Sequence, residues 1–109
     1  MNSLINSLVT KLVHCNKDKY DVYIGRPSKW GNPYTHIMDK DTLAEYVVAT
    51  RDEAIEKYRE YIENNAELLA DLDELEGKVL GCWCYPKSCH GEILMELLTK
   101  RKIKKFFKK

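Results

Sequence analysis

The side chains best able to do chemistry are concentrated in residues 81–92, which read G-C-W-C-Y-P-K-S-C-H-G-E. This stretch holds three of the four cysteines, one of the two tryptophans and one of the three histidines. It follows a short apolar run at residues 78–80 and precedes a helical pattern that starts at Ile93. The stretch therefore lies on a strand-to-helix turn, which is where ligands bind in open α/β sheets.

The thiols of this stretch have two explanations besides ligand binding. Zinc accepts three cysteines and one histidine, here Cys82, Cys84, Cys89 and His90, but structural zinc sites usually take their ligands from C-x₂₋₄-C pairs in two separate pieces. The C-x-C spacing and the adjacent Cys89 and His90 differ from that pattern, so we predict no metal and no cofactor. Cys82 and Cys84 are equally well explained as buried packing residues.

Cys89 differs from the other thiols because it precedes the predicted helix, whose N-terminus favours an anion and lowers the pKa of a thiol. Cys89 with His90 beside it is therefore a candidate catalytic pair. The interpretation that we favour is a backbone cradle. In it, Ser88 or Cys89 caps the helix, and the N–H groups of His90 and Gly91 bind a ligand phosphate.

A second polar stretch, residues 25–34, follows a predicted strand and contains two glycines and two prolines. Arg26 offers a planar fork for phosphate, Lys29 a point charge, and Asn32 a donor and an acceptor for a base or ribose. Trp30 is either a stacking face for the ligand or a core residue. We expect one ligand site formed by Arg26, Ser28, Lys29, Trp30, Gly31, Asn32, Cys89, His90, Gly91 and Glu92.

Local patterns predict the elements that must position these two stretches. The predicted strands span residues 8–15, 20–24 and 78–84, and the first two form an N-terminal β-hairpin or lie as neighbours. The predicted helices span residues 51–63, 66–75 and 90–100, with an ambiguous short helix at 43–48. Thr50 and Glu53 fit a capping box at the start of the first long helix. This order predicts a small α/β domain whose two polar stretches leave the same edge of a sheet, provided that the second and third strands are parallel.

The composition fits one domain of 109 residues, because 44% hydrophobic residues can form a modest core. Residues 100–109 hold seven of the eighteen Lys and Arg, so residues 1–99 carry eleven basic and seventeen acidic side chains. An acidic body argues against a nucleic-acid surface spread over the whole domain. We expect a single domain over residues 1–99 and a solvated basic tail over 100–109, which leaves nucleic acid or a second subunit in a homo-oligomer open as partners.

The cellular location of the protein is predicted from two kinds of segment, a signal peptide and a membrane span. No signal-peptide pattern occurs, and no apolar run approaches the length of a membrane span. We therefore expect a cytoplasmic protein without membrane contact.

Several motifs together resemble a known family. They are Y-I-G-R-P-S-K-W-G-N-P at residues 23–33, T-R at 50–51 with Tyr58, G-K-V-L-G-C-W-C at 77–84, Pro86, and C-H-G at 89–91. They are similar to those of domain-of-unknown-function family 4326, a small phage and bacterial domain, over about residues 20–99. Tyr34 and Glu92 stand where Phe and Asp are usual in that family. The resemblance implies a Rossmann-like nucleotide-binding fold and no established activity.

The residues and the resemblance together give one functional prediction and two alternatives. We predict that the chain binds, or binds and processes, a nucleotide-derived small molecule of the ADP-ribose or cyclic-nucleotide kind between residues 26–33 and 82–92. One alternative is a zinc-stabilised module that binds nucleic acid through the cysteine cluster and the basic tail. The other is a Cys-dependent transferase or hydrolase that uses Cys89.

Overall fold

The computed structural model describes residues 10–37 and 43–107. The strands in these ranges are β1 (Lys11–His14), β2 (Val22–Tyr23), β3 (Tyr34–Thr35), β4 (Tyr46–Val47) and β5 (Val79–Cys82). The helices are α1 (Arg51–Glu63), α2 (Ala66–Asp71) with a 3₁₀ turn (Leu72–Leu75) after it, and α3 (His90–Phe107). This content confirms the predicted small α/β domain.

The main sheet has three parallel strands in the order β1-β5-β2. Lys11 aligns with Val79 on one side of β5, and Val22 aligns with Leu80 on the other. Because β2 and β5 run in the same direction, the chain leaves both strands at one edge of the sheet. The two polar stretches are therefore neighbours, as predicted.

The predicted N-terminal β-hairpin is wrong, because β1 and β2 each pair with β5 and lie on opposite sides of it. Residues 15–21 cross the face of β5 instead of forming a hairpin turn. A Cβ at Gly81 would stand 2.7 Å from the Cγ of Tyr20, so the glycine provides the room for this crossing. Residues 8 and 9 of the predicted first strand lie outside the described residues.

A second, two-stranded parallel sheet joins β3 and β4, and the rings of Tyr34 and Tyr46 stack with centroids 5.0 Å apart. The short helix predicted over residues 43–48 is therefore wrong, because β4 occupies this segment. The Val48 N–H donates to the carbonyl oxygen of Thr35 at 2.7 Å. Pairing with β3 decides the structure here, where the local pattern is weak.

The first helix begins where the capping box predicts. The Thr50 hydroxyl accepts from the Glu53 N–H at 3.0 Å, while the Glu53 carboxylate accepts from the Ala49 N–H at 3.1 Å instead of from the N–H of Thr50. Asn64 then ends α1, and Asn65 caps α2. The Thr50 cap fixes the residue at which α1 begins.

Helix α3 packs closely on the sheet face that carries the fully buried Leu80 and Cys82. A Cβ at Gly91 would stand 2.7 Å from a methyl of Leu12 and 3.0 Å from one of Ile24. The glycine lets the start of α3 lie directly on β1 and the end of β2. This contact fixes the residues that precede the helix at the sheet edge.

The last helix continues to Phe107, beyond its predicted end at residue 100. Arg101 pairs with Asp73 at 3.1 Å, which ties the first turn of the predicted tail to the 3₁₀ turn. Residues 108 and 109 lie outside the described residues. In the described part of the chain, no helix is both long and apolar enough to cross a bilayer.

Candidate ligand-binding cleft

A cleft of about 680 Å³ opens at the carboxyl ends of the three parallel strands. Its walls are the loop after β2, the first turn of α1, and residues 83–90 between β5 and α3. Ligand pockets commonly enclose roughly 300–1,000 Å³. The cleft is therefore large enough for a small molecule of nucleotide size.

The cleft is lined by cations although the body of the chain is acidic. No aspartate or glutamate of the described residues lines it, whereas four basic side chains do: Lys17, Arg26, Arg51 and Lys87. Walls of one charge sign concentrate the field inside a cleft and attract the opposite charge. The lining therefore favours an anionic ligand.

Backbone oxygens hold the two arginines in position. Arg26 Nη1 donates to the carbonyl oxygen of Asn32 at 2.8 Å, and Arg51 Nη1 donates to that of Ser88 at 3.3 Å. Both contacts use Nη1, and a guanidinium carries five N–H donors in all. Gly31 keeps the loop compact, because a Cβ there would stand 3.0 Å from Arg26 Cα.

Asn32 lines the cleft, but both polar atoms of its side chain form hydrogen bonds within the protein. Its Nδ2 donates to the carbonyl oxygen of Ala54 at 3.0 Å, and its Oδ1 accepts from the Tyr34 N–H at 2.9 Å. Asn32 is also buried. The structure thus gives this residue the task of tying the loop to α1, in place of the predicted hydrogen bonds to a base or ribose.

Aromatic side chains form the part of the cleft next to β1 and β2. Trp83 is 60% exposed, and its Nε1–H donates to the Tyr23 hydroxyl at 2.8 Å. That hydroxyl donates in turn to the carbonyl oxygen of Arg26 at 2.9 Å. The His14 ring meets the indole edge to face with centroids 5.7 Å apart. An exposed indole held by two neighbours offers a fixed stacking face.

The structure places six of the ten predicted ligand residues outside the cleft lining: Ser28, Lys29, Trp30, Gly31, Gly91 and Glu92. Lys29 pairs with Asp71 at 3.0 Å and with Glu74 at 2.9 Å. Trp30 is a core residue with 2% exposure, and its carbonyl oxygen accepts from the Tyr58 hydroxyl at 2.7 Å. Lys29 and Trp30 therefore brace the loop against the helices.

Of the two N–H groups predicted to form a backbone cradle at the start of α3, that of Gly91 is used within the protein. The Glu92 N–H donates to the Cys89 carbonyl oxygen at 3.0 Å, and the Gly91 N–H lies 3.3 Å from Cys89 Sγ. The N–H groups of Glu92 and Gly91 are thus used within the turn that Cys89 caps. The groups of the cleft that can bind an anion are mainly side chains.

Cys82 and Cys89 form a buried pair whose sulfur atoms are 3.3 Å apart. The hydrogen bond from Cys89 lowers the pKa of Cys82, and the backbone N–H groups of Tyr85 and Cys84 lower it further. The same hydrogen bond, together with burial, raises the pKa of Cys89. Cys89 is buried, and its sulfur contacts both Cys82 and the Gly91 N–H, so its contacts give a catalytic role no specific support.

His90 lines the cleft in its neutral form. Burial lowers its pKa to about 4, and its Nε2 lies 2.7 Å from the carbonyl oxygen of Ile24. That distance places the ring hydrogen on Nε2, which donates to the carbonyl. The ring also meets Tyr58 edge to face at 4.9 Å. These contacts position His90 and leave it without a proton to give near neutral pH.

The four side chains that the zinc alternative requires do not converge. In residues 10–37 and 43–107, no three side chains of His, Cys, Asp or Glu are arranged to hold a metal ion. Cys82 and Cys89 pair with each other, Cys84 lines the cleft, and His90 bonds to the backbone. The zinc-stabilised alternative therefore gains no support from the arrangement of these groups.

Sequence reasoning did not single out several residues that line the cleft, above all Arg51, Tyr23, Trp83 and Lys87. The sequence did contain a signal that Arg51 has a function other than helix stability. A cation in the first turn of a helix opposes the helix dipole, and Asp52 and Glu53 show the usual preference of that turn. A basic residue at this position is better explained by a ligand than by helix stability.

Comparisons with known proteins give one family and two viral relatives. The family described as "Domain of unknown function (DUF4326)" matches residues 10–100. Uncharacterized protein R718 of Acanthamoeba polyphaga mimivirus is 35% identical over 95 residues, covering 71% of this chain and 65% of that protein. An uncharacterized 12.4 kDa protein of the nrdA-td intergenic region of Enterobacteria phage T4 is 32% identical over 94 residues, covering 83% and 78%. No solved structure matches.

Proposed function

This chain belongs to the DUF4326 family, and we propose that it binds a nucleotide-derived small molecule in the cleft between residues 26–33 and 83–90. The observation that carries the proposal is one cleft that joins four cations to an exposed tryptophan, with no described carboxylate in its lining. Cations bind phosphate, and an indole stacks on a base. A site outside the carboxyl ends of parallel strands also supports the likeness to Rossmann-like nucleotide-binding sheets.

The hydrogen bonds suggest how such a ligand lies. Arg51 is anchored beside Ser88, at the end of the cleft formed by α1 and the start of α3. Trp83 is anchored to Tyr23, at the end formed by the strands. The phosphate then lies near Arg51, and the base lies against Trp83. An ADP-ribose-like or cyclic nucleotide carries both groups.

The proposal is for binding and includes no bond cleavage. Hydrolysis of a glycosidic bond commonly uses a pair of carboxylic acids, and the described lining has none. The pKa of Cys89 is raised by its bond to Cys82 and by burial, and the pKa of His90 is lowered by burial. These groups therefore serve poorly as a nucleophile and a general acid near neutral pH.

Isothermal titration of the folded protein with AMP, ADP-ribose, cyclic AMP and adenosine tests the proposal. We expect the phosphate-bearing ligands to bind at least about tenfold more tightly than adenosine, because a hydrogen bond to a charged group contributes about 1.5–3 kcal/mol. A folded protein that releases no heat with any of the four ligands would overturn the proposal.

Two substitutions separate the base contact from the phosphate contact. Trp83→Ala should weaken AMP binding by about 1–3 kcal/mol, and Trp83→Phe by less because a ring remains. Lys87→Ala should weaken AMP binding but not adenosine binding. Lys78→Ala is the matched control, because Lys78 is exposed and lies outside the lining. Equal losses in the Lys87 and Lys78 variants would contradict the proposed phosphate contact.

A further inference from the structure

The buried thiol pair lies at the base of one wall of the cleft. Cys82 is the last residue of β5, and Cys89 caps α3. All six residues between them, 83–88, line the cleft. A bond between the two sulfurs would therefore close a small ring that contains the whole wall.

The two sulfurs are held close by rigid elements. Their separation is 3.3 Å, with Cys82 fully buried and Cys89 2% exposed. Cys82 belongs to the central strand, which is bonded on both sides, and the start of α3 is packed on Leu12 and Ile24. A disulfide needs a sulfur–sulfur distance of about 2.05 Å, so each atom must move by well under an ångström.

The hydrogen bond between the thiols also favours reaction. It lowers the pKa of Cys82, so the pair more readily holds a thiolate than an isolated buried cysteine does. Around this sulfur lie the thiol of Cys89, the N–H groups of Tyr85 and Cys84, and, at longer range, the Glu92 carboxylate. A small oxidant can approach through the cleft, which Cys89 lines.

We propose that Cys82 and Cys89 are a redox modification site, at which hydrogen peroxide produces an intramolecular disulfide. The thiolate of the pair attacks peroxide, the O–O bond breaks, and a sulfenic acid and hydroxide form. The other thiol then attacks the sulfenic sulfur, the S–S bond forms, and hydroxide leaves. The thiol proton and solvent complete two waters. The two cysteines are oxidised by two electrons, and one peroxide is reduced.

A ligand in the cleft should shield this site, an extension that rests on the proposed function. Cys89 is the member of the pair that lines the cleft, so an occupied cleft should block the approach of peroxide to the pair. With AMP at ten times its Kd, only about one tenth of the protein has an empty cleft. The rate of disulfide formation should therefore fall by about tenfold.

Peptide mapping tests the disulfide directly, because Lys87 lies between the two cysteines. Trypsin cleaves after Lys87, so a Cys82–Cys89 bond joins the peptides 79–87 and 88–100. We expect this joined pair from peroxide-treated protein that is alkylated before digestion, and we expect reduction to separate it. Cys84→Ser protein should give the same joined pair, which excludes Cys84 as the bonded residue.

Two results would overturn the site: linked chains on a non-reducing gel without the joined peptides, or thiols oxidised to sulfinic acid without a disulfide. The Cys82→Ser, Cys84→Ser protein is the negative control. The two proposals can fail separately, because the joined peptides report the redox site and the titration reports AMP binding. A disulfide that forms at the same rate with and without bound AMP supports the redox site and shows that the ligand does not block the approach of peroxide.

Discussion

His90 shows how burial sets the protonation of one side chain beside the cleft. Its pKa is lowered to about 4 by burial, whereas an unfolded histidine has a pKa of about 6.5. As the pH falls below 6.5, the unfolded chain binds a proton that the folded chain does not bind. Protonation therefore favours the unfolded state, and stability is lost as the pH falls from about 6.5 to 4.

Urea unfolding at pH 7 and pH 5 measures this effect. We expect the free energy of unfolding to fall by about 2 kcal/mol between the two pH values because of His90. His90→Gln keeps an N–H donor for the Ile24 carbonyl but does not titrate, so its pH dependence should be smaller by that amount. The Glu96 carboxylate does not contribute to the change in stability between pH 7 and pH 5. Its pKa is lowered to about 2 by Arg59, and its effect appears at lower pH.

Single residues also show what a sequence can reveal about a site. Arg26, Asn32, Cys89 and His90 do line the cleft, because loops at the ends of parallel strands meet at one edge. The position of Lys29 in the loop did not reveal its role. Its partners Asp71 and Glu74 are remote in sequence, and only the folded chain brings them together. A charged residue in a promising loop is as easily an anchor as a ligand.

Among the elements, α1 links helix capping to the cleft. The Thr50 hydroxyl caps the helix through the Glu53 N–H, and Arg51 in the first turn lines the cleft. Thr50→Ala should lower the free energy of unfolding by about 1 kcal/mol, and it should weaken AMP binding because the first turn frays. Thr50→Ser keeps the hydroxyl and should retain both properties. Thermal unfolding and isothermal titration provide the two measurements. Loss of stability with unchanged AMP affinity would show that Arg51 does not depend on the cap.

The elements differ in how well the sequence predicts them. The predicted bounds of α1 are correct, because its cap and its apolar spacing are local signals. The hairpin and the helix over residues 43–48 are wrong, because distant partners decide both segments. β1 and β2 pair with β5, and β4 pairs with β3, from which ten residues of sequence separate it. Local patterns carry no record of such pairing.

At the scale of the whole molecule, the two ends of α3 serve different purposes. The cleft lies at its first residue, and the basic segment begins at Lys100, which is ten residues or about 15 Å further along the helix. Truncation after Thr99 should leave AMP affinity within about twofold. It should cost about 1 kcal/mol of stability, since the Arg101–Asp73 and Lys100–Glu96 pairs that are lost lie at the surface.

Isothermal titration and urea unfolding of the truncated protein check this expectation, with full-length Arg101→Ala as the control for the ion pair. A truncated protein that folds but no longer binds AMP would show that the basic segment reaches the ligand. A truncated protein that fails to fold would show that this end of α3 is part of the domain core.

Because β5 lies between β1 and β2, the sheet cannot form until β5 has been synthesised. β1 and β2 leave the ribosome first, but the strand that joins them is Val79–Cys82, which is synthesised after α1 and α2. A nascent chain that stops before β5 already contains Arg26 and Arg51, yet it lacks the strand and the wall that complete the cleft. Folding of the sheet and ligand binding must then arise together, and only after β5 and the residues of the wall that follow it have been synthesised.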